Sequence, residues 1–155
     1  MGNYANLETE FIERTINLIG QYTHLCNDFP FEEQYNYTLT INCMLGLIVM
    51  PKEKVVPYIP TTRLTNDFKN EIGLVQSYIS DEITTLRDLI ISLRHSIAHF
   101  DIDVISENEN NLIDYIEFKD TEDESTVARL RSNEILPFLQ FYAACLLENI
   151  KRYRN

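Results

Sequence analysis

Apolar residues recur at helical spacing in four stretches of the chain, and this pattern predicts four long helices. The second of these stretches ends at Pro51, a residue that cannot continue a helix. The third helix is expected to begin near Ser80 or Asp81, because either side chain is a good N-cap. The last is expected to begin near Ser132 or Asn133 for the same reason. The predicted helices cover about residues 6–25, 33–50, 80–99 and 132–153.

Beyond residue 100 the pattern changes to an alternation of apolar and polar residues, which predicts β-strands. Strands are expected over about residues 101–105, 112–118 and 126–131, with a hairpin turn at 106–111. Residues 51–64 are interpreted as a loop, and residues 65–79 are ambiguous between a loop and a short helix. The chain is therefore predicted to be mainly α, a four-helix bundle with a small antiparallel hairpin or three-stranded sheet before the last helix. Residues 1–155 are expected to form one domain.

The charge of the chain restricts its partners. The formal net charge is −11, and residues 107–124 alone contain eight acids and one lysine. A broad basic face of the kind that binds nucleic acid nonspecifically is therefore excluded, whereas a local cationic site is compatible with this charge.

Three cysteines and the absence of long apolar runs bear on location. Cys26, Cys43 and Cys145 are widely spaced among apolar residues and are predicted to be buried free thiols rather than disulfides or metal ligands. The longest apolar run, residues 44–50, is too short to span a membrane, and the first residues show no signal-peptide pattern. We therefore expect a cytoplasmic protein.

Candidate chemistry is concentrated in one segment near the end of the third predicted helix, Arg94-His95-Ser96-Ile97-Ala98-His99. Arg offers phosphate oxygens a planar fork that is always charged, and His can move protons near neutral pH. Successive helical residues are rotated by about 100°, which places Arg94, His95 and His99 off the apolar face. The same wheel places Phe100 on the apolar face, towards the core.

Arg94 and His99 are about 140° apart on an ideal helix, so they converge only if the helix end frays or a partner surface gathers them. Ile91 and Ala98 lie among these polar residues and indicate a seam against which another helix docks. A second copy of the chain is the economical partner, because two-fold dimers are the commonest oligomers. We therefore predict a homodimer through the helix that carries Ile91, His95 and Ala98.

The motif resembles that of the HEPN superfamily, small helical bundles that include many metal-independent ribonucleases. The family pattern is Arg, then Asn, His or Asp, then three variable residues and His. Arg94, His95 and His99 match its three fixed points. A compact plasmid- and genome-borne branch is similar in more of the chain, in residues 93–100, in residues 42–53 and in the hairpin before the last helix.

This resemblance implies that two protomers pair so that both motifs line one cleft, which cleaves RNA with no metal or other cofactor. His99 would activate the 2′-OH as a general base, and the product would carry a 2′,3′-cyclic phosphate. Arg94 would hold the phosphate and stabilise the charge that develops in the transition state. His95 would orient the other two or share the proton transfer. The resemblance also implies a toxin or phage-defence role, often with an antitoxin as a further partner.

Each of these residues also has a structural interpretation. Arg94 could form a surface salt bridge, for instance with Asp88, and the histidines could act only as cations at a helix C-terminus. Histidines at i and i+4 also suit zinc, although Ser96 stands where helical zinc proteases have a Glu. For the whole chain, the alternative is a catalytically inactive HEPN bundle that binds a nucleotide, RNA or a protein partner, and the net charge of −11 favours it.

Overall fold

Helices make up most of the structure, a computed structural model that describes residues 2–50, 56–110 and 112–154. Within these ranges the helices are α1 (Leu7–Leu25), α2 (Asn36–Met44), α3 (Asn66–Glu71), α4 (Leu86–His99) and α5 (Ser132–Arg154). The strands are β1 (Tyr78–Ile79), β2 (Ile102–Ile105), β3 (Tyr115–Lys119) and β4 (Thr126–Arg131). A mainly helical chain with a small antiparallel sheet is thus confirmed. No helix in the described ranges is long and apolar enough to cross a membrane.

The second helix is shorter than predicted and changes its winding. It begins at Asn36 rather than at 33, and its continuation, Leu45–Val49, has π-helical hydrogen bonds. Gly46 in this continuation lies against the ring of Phe11 on α1, where an added Cβ would come within 3.2 Å of the ring. The lack of a side chain at this position therefore allows α1 and α2 to approach closely. Pro51, the predicted end of the helix, lies outside the described residues.

The fourth helix begins later than the prediction of a start near Ser80 or Asp81, which was wrong. Thr85 is the N-cap, and its Oγ1 accepts a hydrogen bond of 3.1 Å from the N–H of Asp88. The Asp88 carboxylate in turn accepts one of 3.1 Å from the N–H of Thr85, which completes a capping box. Ser80 belongs to the sheet edge, because its N–H donates to the carbonyl of Val127 at 2.9 Å.

The sheet has the strand order β1-β4-β3-β2, and all neighbouring strands are antiparallel. The prediction of a hairpin or three strands was therefore incomplete. The added strand, β1, has only two residues, too few to show an alternating pattern. The ambiguous stretch 65–79 contains both α3 and this strand. Asn111, at the predicted hairpin turn, lies outside the described residues.

The core lies between the inner face of the sheet and the long helices. Buried apolar side chains of α4 and α5 meet the inward residues of β3 and β4 in one continuous cluster. Among its fully buried members are Leu86, Leu89, Leu93, Phe118, Leu130, Phe138 and Leu146. Burial of such a side chain stabilises the fold by roughly 1.5–3 kcal/mol each, so α4 is held firmly along its length. Of the cysteines, Cys26 and Cys43 are buried and Cys145 is half-buried, and all three are free.

A buried hydroxyl joins the end of α4 to the sheet. Ser96 is 1% exposed, and its Oγ donates to the carbonyl oxygen of Lys119, at the end of β3, over 2.6 Å. The N–H of Asp101 donates to the Ser96 carbonyl at 2.8 Å, and the Lys119 N–H donates to the Asp101 carbonyl at 3.0 Å. These bonds attach the last turn of α4 to the end of β3.

We expect Ser96→Ala to lower the free energy of unfolding by about 1–2 kcal/mol, because the Lys119 carbonyl loses a nearly buried donor. Urea denaturation measures this loss. Ser92→Ala is the matched control, since Ser92 is half-buried one turn earlier on the same helix. It should change the free energy of unfolding by less than about 0.5 kcal/mol. Equal losses in the two variants would refute the proposed role of the Ser96 bond.

Candidate active site

The predicted motif forms the end of α4, which stays helical through its last residue, His99. Ser96 is buried, Arg94 is half-buried, and His95 and His99 are exposed. Placement of the arginine and both histidines off the apolar face is therefore confirmed. Ala98 is also exposed, as predicted for a residue on the outer face.

The two histidines lie against each other. The ring centroids of His95 and His99 are 4.8 Å apart, and the ring planes are inclined by 31°. Their spacing of one helical turn explains this contact, because residues at i and i+4 are neighbours on a helix surface. Both rings are therefore accessible from solvent on the same side of the helix.

His95 also lines an open groove of about 280 Å³ between α4 and the turn from β3 to β4. Lys119, Asp120 and Glu122 lie along this groove. The His95 imidazole is therefore close to a wall that carries two carboxylates and the ammonium group of Lys119, which pairs with Asp103. A phosphate in this groove would meet repulsion from the acids as well as attraction from the lysine.

Arg94 lies in a different place, a narrow cleft with apolar walls that include Ile48, Ile91 and Tyr142. Burial raises the pKa of the Tyr142 hydroxyl, and the charge of the nearby Arg94 guanidinium acts in the opposite direction. Among the described residues Arg94 makes no hydrogen bond and no ion pair. The alternative salt bridge with Asp88 is not formed, since that carboxylate is occupied by the capping box. The Arg94 guanidinium therefore has no hydrogen-bonding or ion-pair partner among the described residues.

Ile91 separates the two parts of the motif. Its side chain is 44% exposed and borders both the Arg94 cleft and the His95 groove. The structure therefore brings His95 and His99 together but leaves Arg94 on the other side of Ile91. This arrangement follows from the rotation of about 140° between residues five positions apart in an unfrayed helix.

The prediction that Phe100 faces the core was wrong. Phe100 is the C-cap of α4, with φ 63° and ψ 28°, and its side chain is 78% exposed. The left-handed conformation turns the chain out of the helix, so the helical wheel no longer applies at this position. The N–H groups of Phe100 and Asp101 cap the carbonyls of the last turn, including that of Ser96. The histidine side chains do not take part in these capping bonds.

Other candidate chemistry is limited in the part of the chain that the structure describes. No three His, Cys, Asp or Glu side chains are arranged there to hold a metal ion. Sequence reasoning missed Tyr142, which lies beside Arg94 although it belongs to α5. Its position among core residues at helical spacing gave no signal that its ring borders a cleft.

Comparisons with known proteins give one match. The family model described as HEPN pEK499 p136 matches residues 1–153. No curated protein and no solved structure matches the chain. The matched range contains the whole motif, the sheet and all but the last residue of α5.

Phe100→Gly should raise the free energy of unfolding by up to about 1 kcal/mol, because glycine adopts the left-handed conformation without strain. Urea denaturation measures the change. Phe29→Gly is a matched control, since Phe29 is also exposed but has an extended backbone with φ −101°. The free energy of unfolding of Phe29→Gly should fall by about 0.5–1 kcal/mol, because glycine gives the unfolded chain more conformational freedom. If Phe100→Gly is destabilised as much as the control, the strain assigned to this position is absent.

Proposed function

The chain belongs to the HEPN superfamily, and from this membership we propose that it is a homodimeric endoribonuclease that cleaves RNA without a metal ion. The observation that carries the proposal is the contact of two exposed imidazoles, His95 and His99, with centroids 4.8 Å apart. Arg94, unpaired by any described group, lies on the adjoining face of the same helix. Proton transfer and phosphate binding are the two functions that this cleavage needs. The long helices would form the superfamily's four-helix bundle around the site.

His99 is the general base in this proposal. It takes the proton of a ribose 2′-OH, and the freed oxygen attacks the adjacent phosphorus. The bond from phosphorus to the 5′-oxygen of the next nucleotide breaks, which leaves a 2′,3′-cyclic phosphate and a 5′-OH. Arg94 binds the non-bridging phosphate oxygens as their negative charge grows. His95 either orients His99 or returns a proton to the leaving 5′-oxygen.

Two copies of the chain complete the site. Within one protomer Ile91 separates Arg94 from the imidazoles, so a two-fold contact along α4 would bring Arg94 of one copy opposite the histidines of the other. Exposed apolar groups at Ile91 and Phe100, with the small Ala98 between them in sequence, support such a contact. Their burial in a dimer would remove apolar surface from water.

The biological setting of the enzyme is part of the same proposal. We infer a toxin or phage-defence effector in the cytoplasm, where RNA is available and the free thiols of Cys26 and Cys43 stay reduced. An antitoxin would be the natural further partner of such an enzyme, because uncontrolled cleavage of cellular RNA harms the cell.

A second candidate is a catalytically inactive HEPN bundle that binds a nucleotide, RNA or a protein partner. The net charge of −11 and the carboxylates of Asp120 and Glu122 beside His95 favour it, since they oppose the approach of a polyanion. The two candidates differ in whether RNA ends change.

Wild-type protein in excess EDTA should cleave single-stranded RNA and leave 2′,3′-cyclic phosphate ends. Replacement by alanine should reduce the rate by about 10²–10⁴-fold for His99→Ala and about 10²–10³-fold for Arg94→Ala. A 2′-deoxy substitution at the cleaved nucleotide should abolish cleavage. Gel analysis of end-labelled RNA measures the product ends, the rates of the variants and the effect of the 2′-deoxy substitution.

Arg152→Ala controls for the loss of one positive charge, because Arg152 is an exposed residue of α5 that pairs with Glu148. It should cleave like the wild type. Full activity of Arg94→Ala or His99→Ala would contradict the assigned site. No cleavage by the wild type on any single-stranded RNA would favour the inactive bundle.

A shared site has a further consequence for mixed dimers. Arg94→Ala and His99→Ala proteins are each expected to be nearly inactive. When they are unfolded and refolded together, half of the dimers contain one chain of each kind, and each such dimer has one of its two Arg94–His99 pairs intact. The mixture should therefore recover about a quarter of the wild-type rate. A site within one protomer gives no recovery. Ile91→Asp should prevent both recovery and dimer formation, the latter measured by sedimentation velocity.

A further inference from the structure

The outer face of the sheet carries aromatic and cationic side chains that the proposed cleavage site does not use. In one cross-strand row Tyr78 pairs with Arg129, and Arg129 pairs with Glu117. In the next outward row Arg131 pairs with Tyr115. Because side chains alternate along a strand, all five lie on the face opposite the core.

Four of these side chains, all but Glu117, line an open groove of about 270 Å³. The guanidinium carbons of Arg129 and Arg131 lie 5.9 and 5.6 Å from the ring centroid of Tyr115, in the range of a cation–π contact. The arginines thus flank Tyr115, whereas Tyr78 is 51% exposed and presents its ring to solvent. Gln76 and Glu107 complete the lining.

Arg131 differs from its neighbour Arg129, because no described carboxylate forms an ion pair with it. Arg129, two positions earlier, donates to Glu117 at 2.7 Å. The guanidinium of Arg131 makes no hydrogen bond or ion pair within the described residues. Arg94 in its cleft likewise makes no hydrogen bond or ion pair with a described residue. An unpaired guanidinium in a groove is a site for an external anion, since phosphate oxygens fit its planar fork.

The groove is held in shape by a buried carboxylate. Glu134, at the start of α5, accepts hydrogen bonds from the N–H of Gln76 at 2.8 Å and from the hydroxyl of Ser77 at 2.6 Å. The Ser77 oxygen accepts one from the N–H of Arg131 at 2.9 Å. The residues that precede Tyr78 are thereby attached to the end of β4. A ligand meets a groove whose backbone is already ordered, which lowers the entropic cost of binding.

We propose that this groove binds single-stranded RNA, with a base stacked on Tyr78 and a phosphate held by Arg131. Single-stranded RNA is the partner whose chemistry fits, because its unpaired bases stack on aromatic rings and its phosphates bind arginine. The groove would hold substrate for the site on α4, so the inference rests on the proposed function for its substrate class. Two carboxylates restrict the contact to a local one: Glu107 in the lining of the groove, and Glu117, which pairs with the lining residue Arg129.

The two sites are within reach of one RNA strand. Tyr115 and Lys119 are the first and last residues of β3, about 13 Å apart at the usual rise of a strand. Tyr115 lines the aromatic groove, and Lys119 lines the groove of His95. An RNA that occupies both must span at least this length of β3.

Binding is measured apart from cleavage, in the His99→Ala background and with a fluorescein-labelled oligouridylate of about 12 nucleotides. Fluorescence anisotropy should show about a tenfold weaker Kd for Tyr78→Ala, from the lost stacking. Arg131→Ala should weaken binding several-fold and reduce the slope of log Kd against log salt by about 0.7. Glu107→Gln should strengthen binding, because it removes a negative charge from the same groove while keeping an acceptor for the Tyr115 hydroxyl.

Arg152→Ala is the charge-matched control and should leave Kd and the salt slope close to those of the His99→Ala protein. In an otherwise wild-type chain, Tyr78→Ala and Arg131→Ala should raise KM for the 12-nucleotide RNA and leave kcat unchanged. Unchanged Kd in both groove variants overturns this inference, whether or not the protein cleaves RNA, and would suit a groove that receives a protein segment. RNA binding that depends on Tyr78 and Arg131 in a protein that never cleaves RNA supports the groove and rejects the proposed enzyme.

Discussion

The rotation of an α-helix is the constraint on which the candidate site depends. Five residues of helix turn the chain by about 140° beyond a full revolution, so Arg94 and His99 of one continuous helix cannot share a face. Fraying of the helix end would relax this constraint. The capping bonds after His99 and the hydroxyl of Ser96 on the sheet oppose such fraying. A rigid α4 therefore separates Arg94 from the two imidazoles, and in the proposed enzyme a second copy of the same helix would reunite them.

Electrostatics decide how such an acidic chain could receive a polyanion. At −11 the protein as a whole repels RNA, and five of the cations whose surroundings are described are paired with carboxylates. Arg94 and Arg131 are exceptions, and each lies in a groove rather than on an open surface. Attraction is thus confined to a few points, where the short distance between the guanidinium and a bound phosphate makes a single charge effective. Specific contacts would replace the broad basic face that nonspecific nucleic-acid binders use.

Sequence pattern predicted the elements whose signal is local. The bounds of α1, α5 and β4, and the contact of His95 with His99, follow from helical or alternating periodicity. The start of α4 could not be predicted in this way, because Ser80 has the side chain of a good N-cap but its backbone pairs with β4. Likewise, nothing local indicates that Tyr142 of α5 borders Arg94, since only the packing of two distant helices brings them together. The exposure of His95 and His99 and the angular separation of Arg94 from His99 were therefore predictable, whereas the walls of the two grooves depend on tertiary packing.

Two departures from regular helix geometry lie beside the two parts of the motif. The π-helical segment Leu45–Val49 supplies Ile48 to the wall of the Arg94 cleft. The strained, exposed Phe100 directly follows His99. Such irregularities cost free energy, and they persist where the surrounding structure or a function requires them. The first widens a helix next to the unpaired cation, and the second places an aromatic ring in solvent next to the imidazoles. In the monomer the left-handed turn at Phe100 already gives the last carbonyls of α4 their capping bonds. In the proposed dimer across α4 the exposed ring of Phe100 would also be removed from water.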